Sequence, residues 1–118
     1  MRVLIDIGHP AHVHLFRNMA LELMKEGSVV LFTCREKEFE KELLEYYGLP
    51  YRSLGRKYSG TAGKIVGIAR FGVRELIEGI RFKPDLLISH GSYIAAHAAV
   101  LLRKPHIALE DTFNFEQI

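Results

Sequence analysis

Two rhythms of apolar and polar positions alternate along this 118-residue chain. Short strands are predicted at residues 3–7, 29–34, 50–54, 84–89 and 105–109, the first an apolar run of the kind buried on both faces. Between them apolar residues recur at helical spacing. Val13, Phe16, Ala20, Leu23 and Met24 predict a helix over 12–26, with Pro10 at its mouth and Gly27 at its end. A second helix is predicted over 36–47, with Phe39, Leu43 and Tyr46 or Tyr47 turned inward and Gly48 closing it. Residues 55–63, rich in glycine and charge, read as a loop. A long helix follows over 64–81, placing Ile65, Ala69, Leu76 and Ile80 on one face and Arg70, Arg74 and Arg81 on another. Gly67, Gly72 and Gly79 weaken it by about 1 kcal/mol each relative to alanine, so packing must hold it. A last helix, dense in alanine, spans 93–102.

Strand and helix in strict alternation predict an α/β domain over 1–118, with a doubly wound, Rossmann-like parallel sheet of about five strands. The expected strand order is 3-2-1-4-5, with helices on both faces. Strands 1 and 4 are then neighbours whose connections leave to opposite faces, and the crevice between them is where such sheets take ligands.

Composition narrows this picture. The chain is 48% apolar and 25% charged, with no apolar run long enough for a bilayer span and no signal-peptide pattern. Its one cysteine, Cys34, closes an apolar run and reads as a buried structural thiol, so the expected compartment is the cytoplasm. The formal charge of +2 is unevenly spread. Between residues 56 and 83, Arg56, Lys57, Lys64, Arg70, Arg74, Arg81 and Lys83 face only Glu75 and Glu78. That predicts a local basic surface for phosphate, an anionic membrane or water, and no nucleic-acid partner is expected.

The candidate chemistry sits in two turns. After the first strand, Gly8 introduces a turn holding His9, His12 and His14 at the mouth of a helix, a geometry that aims backbone N–H groups at an anion. After the fourth strand come His90, Gly91 and Ser92. If strands 1 and 4 are neighbours, His9, His12 and His90 gather near a glycine-lined anion pocket, with Asp111 arriving from strand 5. His14 diverges from His12 by about 200° and is expected to pack or face solvent. His97 and His106 read as structural histidines. Asp6, inside the first strand, is expected to accept backbone N–H bonds from a neighbouring loop. Neither GxGxxG nor GxxxxGK[ST] is present, so no nicotinamide cofactor or P-loop is expected, and no metal is assigned.

The segments VLIDIGHPAHVHLFRNMALEL, TCREKE, YGLPYRSLG, KPDLLISHGS and PHIALEDT resemble the N-terminal region of an uncharacterised prokaryotic family. That family is similar to glycosyltransferases of GT-B fold and to UDP-N-acetylglucosamine 2-epimerase. The resemblance covers essentially the whole chain, and GHPAHVH and SHGS are its most specific parts. It implies the acceptor-side half of a two-domain enzyme with substrate in the cleft. Gly8, His9 and His12 would line that cleft, opposite His90, Gly91 and Ser92, with Asp111 close by. In such an enzyme a second domain beyond Ile118 holds most of the sugar nucleotide, so the chain is either a fragment, expected to be inactive alone, or works differently. A poorer resemblance, to zinc-dependent deacetylases with a His-Pro-Asp-Asp turn, lacks the two carboxylates.

Three readings follow. In the first, the chain is half of a glycosyltransferase-like or epimerase-like enzyme, with His9 or His12 as catalytic base or phosphate contact. Its partners are a sugar nucleotide or phosphorylated glycan acceptor. In the second it is a binding module docking on an anionic membrane or a partner domain. In the third it is a metal-dependent hydrolase using His9, His12, His90 and Asp111. Apolar residues near the fifth strand and at 113–115 also allow a homo-oligomer.

Overall fold

A computed structural model describes residues 1–36, 39–56, 61–90 and 93–108. It contains five parallel strands, β1 (Arg2–Ile7), β2 (Val29–Glu36), β3 (Tyr51–Arg56), β4 (Leu86–Ser89) and β5 (His106–Ala108). Their order is β3-β2-β1-β4-β5, as the alternation predicted. Four helices connect them: α1 (Pro10–Lys25), α2 (Glu40–Tyr46), α3 (Thr61–Phe82) and α4 (Tyr93–Leu102).

The strand period of two divides the core. Val3, Ile5 and Ile7 of β1, with Val30, Phe32 and Cys34 of β2, pack against Val13, Phe16 and Ala20 of α1 and Leu44 of α2. On the other face Leu4 and Leu87 meet Ala98 and Ala99 of α4, with Leu31 and Phe82 alongside. Register continues this second face toward the carboxyl rim, where Thr33, Asp6 and Ser89 lie side by side on three adjacent strands. All three are buried. Cys34 is fully buried on the first face, and burial pushes its thiol up to about 12.

Several boundaries and faces differ from expectation. α1 begins at Pro10, with His9 as its N-cap, and Gly27 at φ +98° follows its end. β2 runs on through Arg35, past the expected strand end, and through Glu36, which was expected to open a helix. Gly55 and Arg56, expected in a loop, extend β3. The register between β2 and β3 shifts there, with Gly55 at φ +106°. Phe39 and Tyr46 are exposed, and α2 instead buries Glu40 and Leu44. The buried side of α3 is Phe71, Glu75 and Gly79, while Ile80 faces solvent. Gly79 lets α3 approach α4, since a Cβ there would lie 2.6 Å from Leu102 Cδ1. No helix among the described residues is long and apolar enough to cross a membrane. Near β5, Val100, Leu101 and Ile107 are exposed; residues 113–115 lie outside the described residues.

Candidate functional site

The β1–α1 turn and the end of β4 meet at the carboxyl rim because β1 and β4 pair, Asp6 lying beside Ser89. One residue beyond Ser89, His90 brings its ring to 4.5 Å from that of His12, centroid to centroid, and the His9 ring lies 6.0 Å from His12 on another side. These three histidines, with Ala11 and Leu15, line an open cavity of about 560 Å³. The site thus lies at the switch point of the sheet, where the connections of β1 and β4 part.

The turn is held by its own histidines. His9 Nδ1 accepts from the Ala11 N–H at 3.1 Å, capping α1. His12 Nδ1 accepts from the Gly8 N–H at 3.1 Å, and the His12 N–H donates to the His9 carbonyl at 2.9 Å. Pro10 has no N–H to offer. The expectation of free backbone donors is therefore corrected at Gly8, Ala11 and His12: each donor is already engaged within the turn. Burial, then the neighbouring His90 and His9, pushes His12 down to about 4. At neutral pH the His12 ring is uncharged.

Beneath the turn lies a buried polar cluster. The Thr33 hydroxyl is 3.0 Å from Asp6 Oδ1 and 3.1 Å from Glu75 Oε2, and Arg35 Nη2 is 3.4 Å from Asp6 Oδ2. Burial, and then the adjacent Asp6 carboxylate, raises Glu75 well above its ordinary value, which favours its protonated form. A hydroxyl has one proton to donate, so Thr33 donates to one carboxyl group and accepts from the other once that group is protonated. Among the described residues Asp6 is thus bound by side chains rather than by the loop N–H groups expected. The Arg35 guanidinium lies directly over Gly8, where a Cβ would collide with Nη2. The absence of a side chain at Gly8 gives the guanidinium room for this approach.

The remaining sequence candidates are dispersed. His14 Nδ1 is 3.2 Å from the Tyr47 hydroxyl on the outer side of α1. His106 Nε2 lies 2.7 Å from Ser89 Oγ, and burial lowers its pKa, consistent with the structural role expected. Gly91, Ser92 and Asp111 lie outside the described residues, as does the His97 side chain. Among the described residues, no three His, Cys, Asp or Glu side chains are arranged to hold a metal ion. Sequence reasoning missed Thr33, Arg35 and Glu75. The first two become legible once β1 and β2 are aligned, since Thr33 then falls beside Asp6. Glu75 carried no such signal.

Residues 1–113 match a family described as "Protein of unknown function (DUF354)". No curated protein matches the chain by sequence. Solved structures similar to it include the glycosyltransferase VinC in complex with DTDP, at 16% identity and a TM-score of 0.75, covering 93% of this chain and 34% of that one. The UDP-GlcNAc 2-epimerase from Neisseria meningitidis bound to UDP-GlcNAc matches at 19% identity and TM-score 0.75, over 92% of this chain and 31% of that one. MurG of Acinetobacter baumannii matches at 19% identity and TM-score 0.76, over 92% and 34%. The chain spans about a third of the length of these structures. At such identities the likeness establishes a shared fold alone, the Rossmann-like α/β domain.

Proposed function

We propose that this chain, which belongs to that DUF354 family, is the acceptor-side half of a sugar-nucleotide enzyme, glycosyltransferase-like or epimerase-like. In this reading a second α/β half holds most of the nucleotide, and the chain alone does not turn over substrate. The observation that carries it is the meeting of His12 and His90, 4.5 Å apart, in a cavity at the β1/β4 switch point. Open α/β sheets take their ligands there, and the cavity volume falls in the range of small-molecule sites. Two of the similar structures hold DTDP and UDP-GlcNAc, which makes a nucleoside-diphosphate sugar the ligand class to try. Gly8, His90, Gly91, Ser92 and Asp111 serve as substrate contacts, and His9 or His12 as catalytic base or phosphate contact. Titrating UDP-N-acetylglucosamine into the ¹⁵N-labelled chain is expected to shift the amides of Gly8, His12 and His90. Shifts confined to α3 or the β5 edge reject the assignment.

A second reading rests on the outer face of α3. Val66, Val73, Ile77 and Ile80 are exposed on one stripe, with Arg70, Arg74 and Arg81 along its flank. An apolar stripe beside a basic one suits an anionic membrane surface carrying a lipid-linked acceptor. Co-sedimentation with anionic vesicles tests it, and equal recovery with neutral vesicles at low salt ends it.

A further inference from the structure

The β1–α1 turn converts main-chain donors into imidazole donors. A backbone N–H can only donate, so the contact from Gly8 to His12 Nδ1 requires that nitrogen to present its lone pair. A neutral ring in that state carries its proton on Nε2. Adding a second proton would place an N–H at Nδ1 facing the Gly8 N–H, two donors against each other. His9 has the same polarity, because its Nδ1 accepts from Ala11. The ring nitrogen of His12 turned away from Gly8 is therefore an N–H, with no lone pair to receive a proton.

From this geometry we infer that His12 is a hydrogen-bond donor, through Nε2–H, to a phosphoryl oxygen in the cavity and is not a general base. The inference rests on the sugar-nucleotide reading for the identity of that oxygen, and on the Gly8 contact alone for the direction of the bond. Three features of the site agree with it. The His12 ring lines the cavity, it stands in the first turn of a 16-residue helix whose positive end favours an anion, and it remains uncharged at neutral pH. A neutral imidazole at a helix N-terminus is a competent donor to an oxygen that bears or gains negative charge. Any group that must take a proton from substrate is then a different one.

Two measurements test this. Long-range ¹H–¹⁵N spectra of the unaltered chain should show His12 protonated at Nε2 and unprotonated at Nδ1 from about pH 5 to 8. Protonation at Nδ1, or a titration midpoint near the ordinary value of 6.5, overturns the inference. In the second, UDP-N-acetylglucosamine is bound to His12→Gln, whose amide N–H falls near the place of Nε2, and to His12→Asn, whose amide falls near Nδ1. Asn should weaken binding about tenfold more than Gln. Equal weakening argues against a donor at Nε2. If the unaltered chain carries the Nε2 proton but does not bind UDP-N-acetylglucosamine, the sugar-nucleotide reading fails and the tautomer stands. If it binds while Nδ1 is protonated, the donor role fails alone.

Discussion

The two faces of the sheet are made by the same strands, yet one is dry to the carboxyl rim and the other turns polar before reaching it. Under α1 and α2, Val3, Ile5 and Ile7 stand beside Val30, Phe32 and Cys34, six buried side chains without a charge. Under α3 and α4, Leu4 gives way one step later to Asp6, flanked by Thr33 and Ser89 and covered by Glu75. The dry face supplies stability through burial. The polar face holds two carboxyl groups bridged by the Thr33 hydroxyl, and a guanidinium against Gly8. Stability and site support are thus separated by the strand period.

Substitutions that treat the two faces alike should give unlike results. Phe16→Ala on the dry face is expected to cost about 3–5 kcal/mol, read by urea unfolding, because a fully buried ring leaves a cavity. A loss below 1 kcal/mol would mean that α1 is not seated as described. Thr33→Val on the polar face removes the hydroxyl between two carboxyl groups and should cost about 1–3 kcal/mol by the same measurement.

The pH dependence separates the regions further. Glu75 binds its proton more tightly folded than unfolded, so its stabilising contribution is full below about pH 4.5 and is lost as pH rises. His12 is depressed to about 4, so its contribution is present above about pH 6.5 and is lost as pH falls through about 4. Glu75→Gln should therefore flatten the alkaline limb of the stability profile, removing a slope of at most about 1.4 kcal/mol per pH unit. His12→Gln should flatten the acid limb. Denaturation midpoints across the pH range read both, and a single variant that flattens both limbs would dissolve the distinction.

Gly8→Ala is the mildest test. Its Cβ displaces the end of the Arg35 side chain rather than backbone, so a loss of about 1 kcal/mol or less is expected. The shift should appear at Arg35 and Asp6 in NMR spectra and leave α1 and α2 unmoved.

Much of this architecture can be read from the chain by periodicity. The alternation of runs and helical stretches leads to the order β3-β2-β1-β4-β5, and that order alone brings the turn of His9 and His12 to His90. Helix faces were less legible. In α3 the aliphatic stripe points to solvent, while a glutamate and a glycine point inward. A wheel that scores hydrophobicity cannot find a side on which Phe71 is joined by a hydrogen-bonded carboxyl and a glycine. Arg35 was hidden for a related reason: a charged residue after an apolar run resembles a strand end, and only the neighbouring strand shows that β2 continues. Hydrogen-bond polarity at His12 lay beyond any spacing rule, since it depends on which ring atom meets the Gly8 N–H.

Cys34 offers a way to watch the dry face open. It is the sole sulfhydryl of the chain, sealed beneath the first layer of helices and, at a pKa of about 12, almost devoid of thiolate at neutral pH. An alkylating reagent can reach it only when helix and sheet part, so the labelling rate acts as a clock for that separation. Any ligand that clamps the rim should slow this clock, whatever its chemistry.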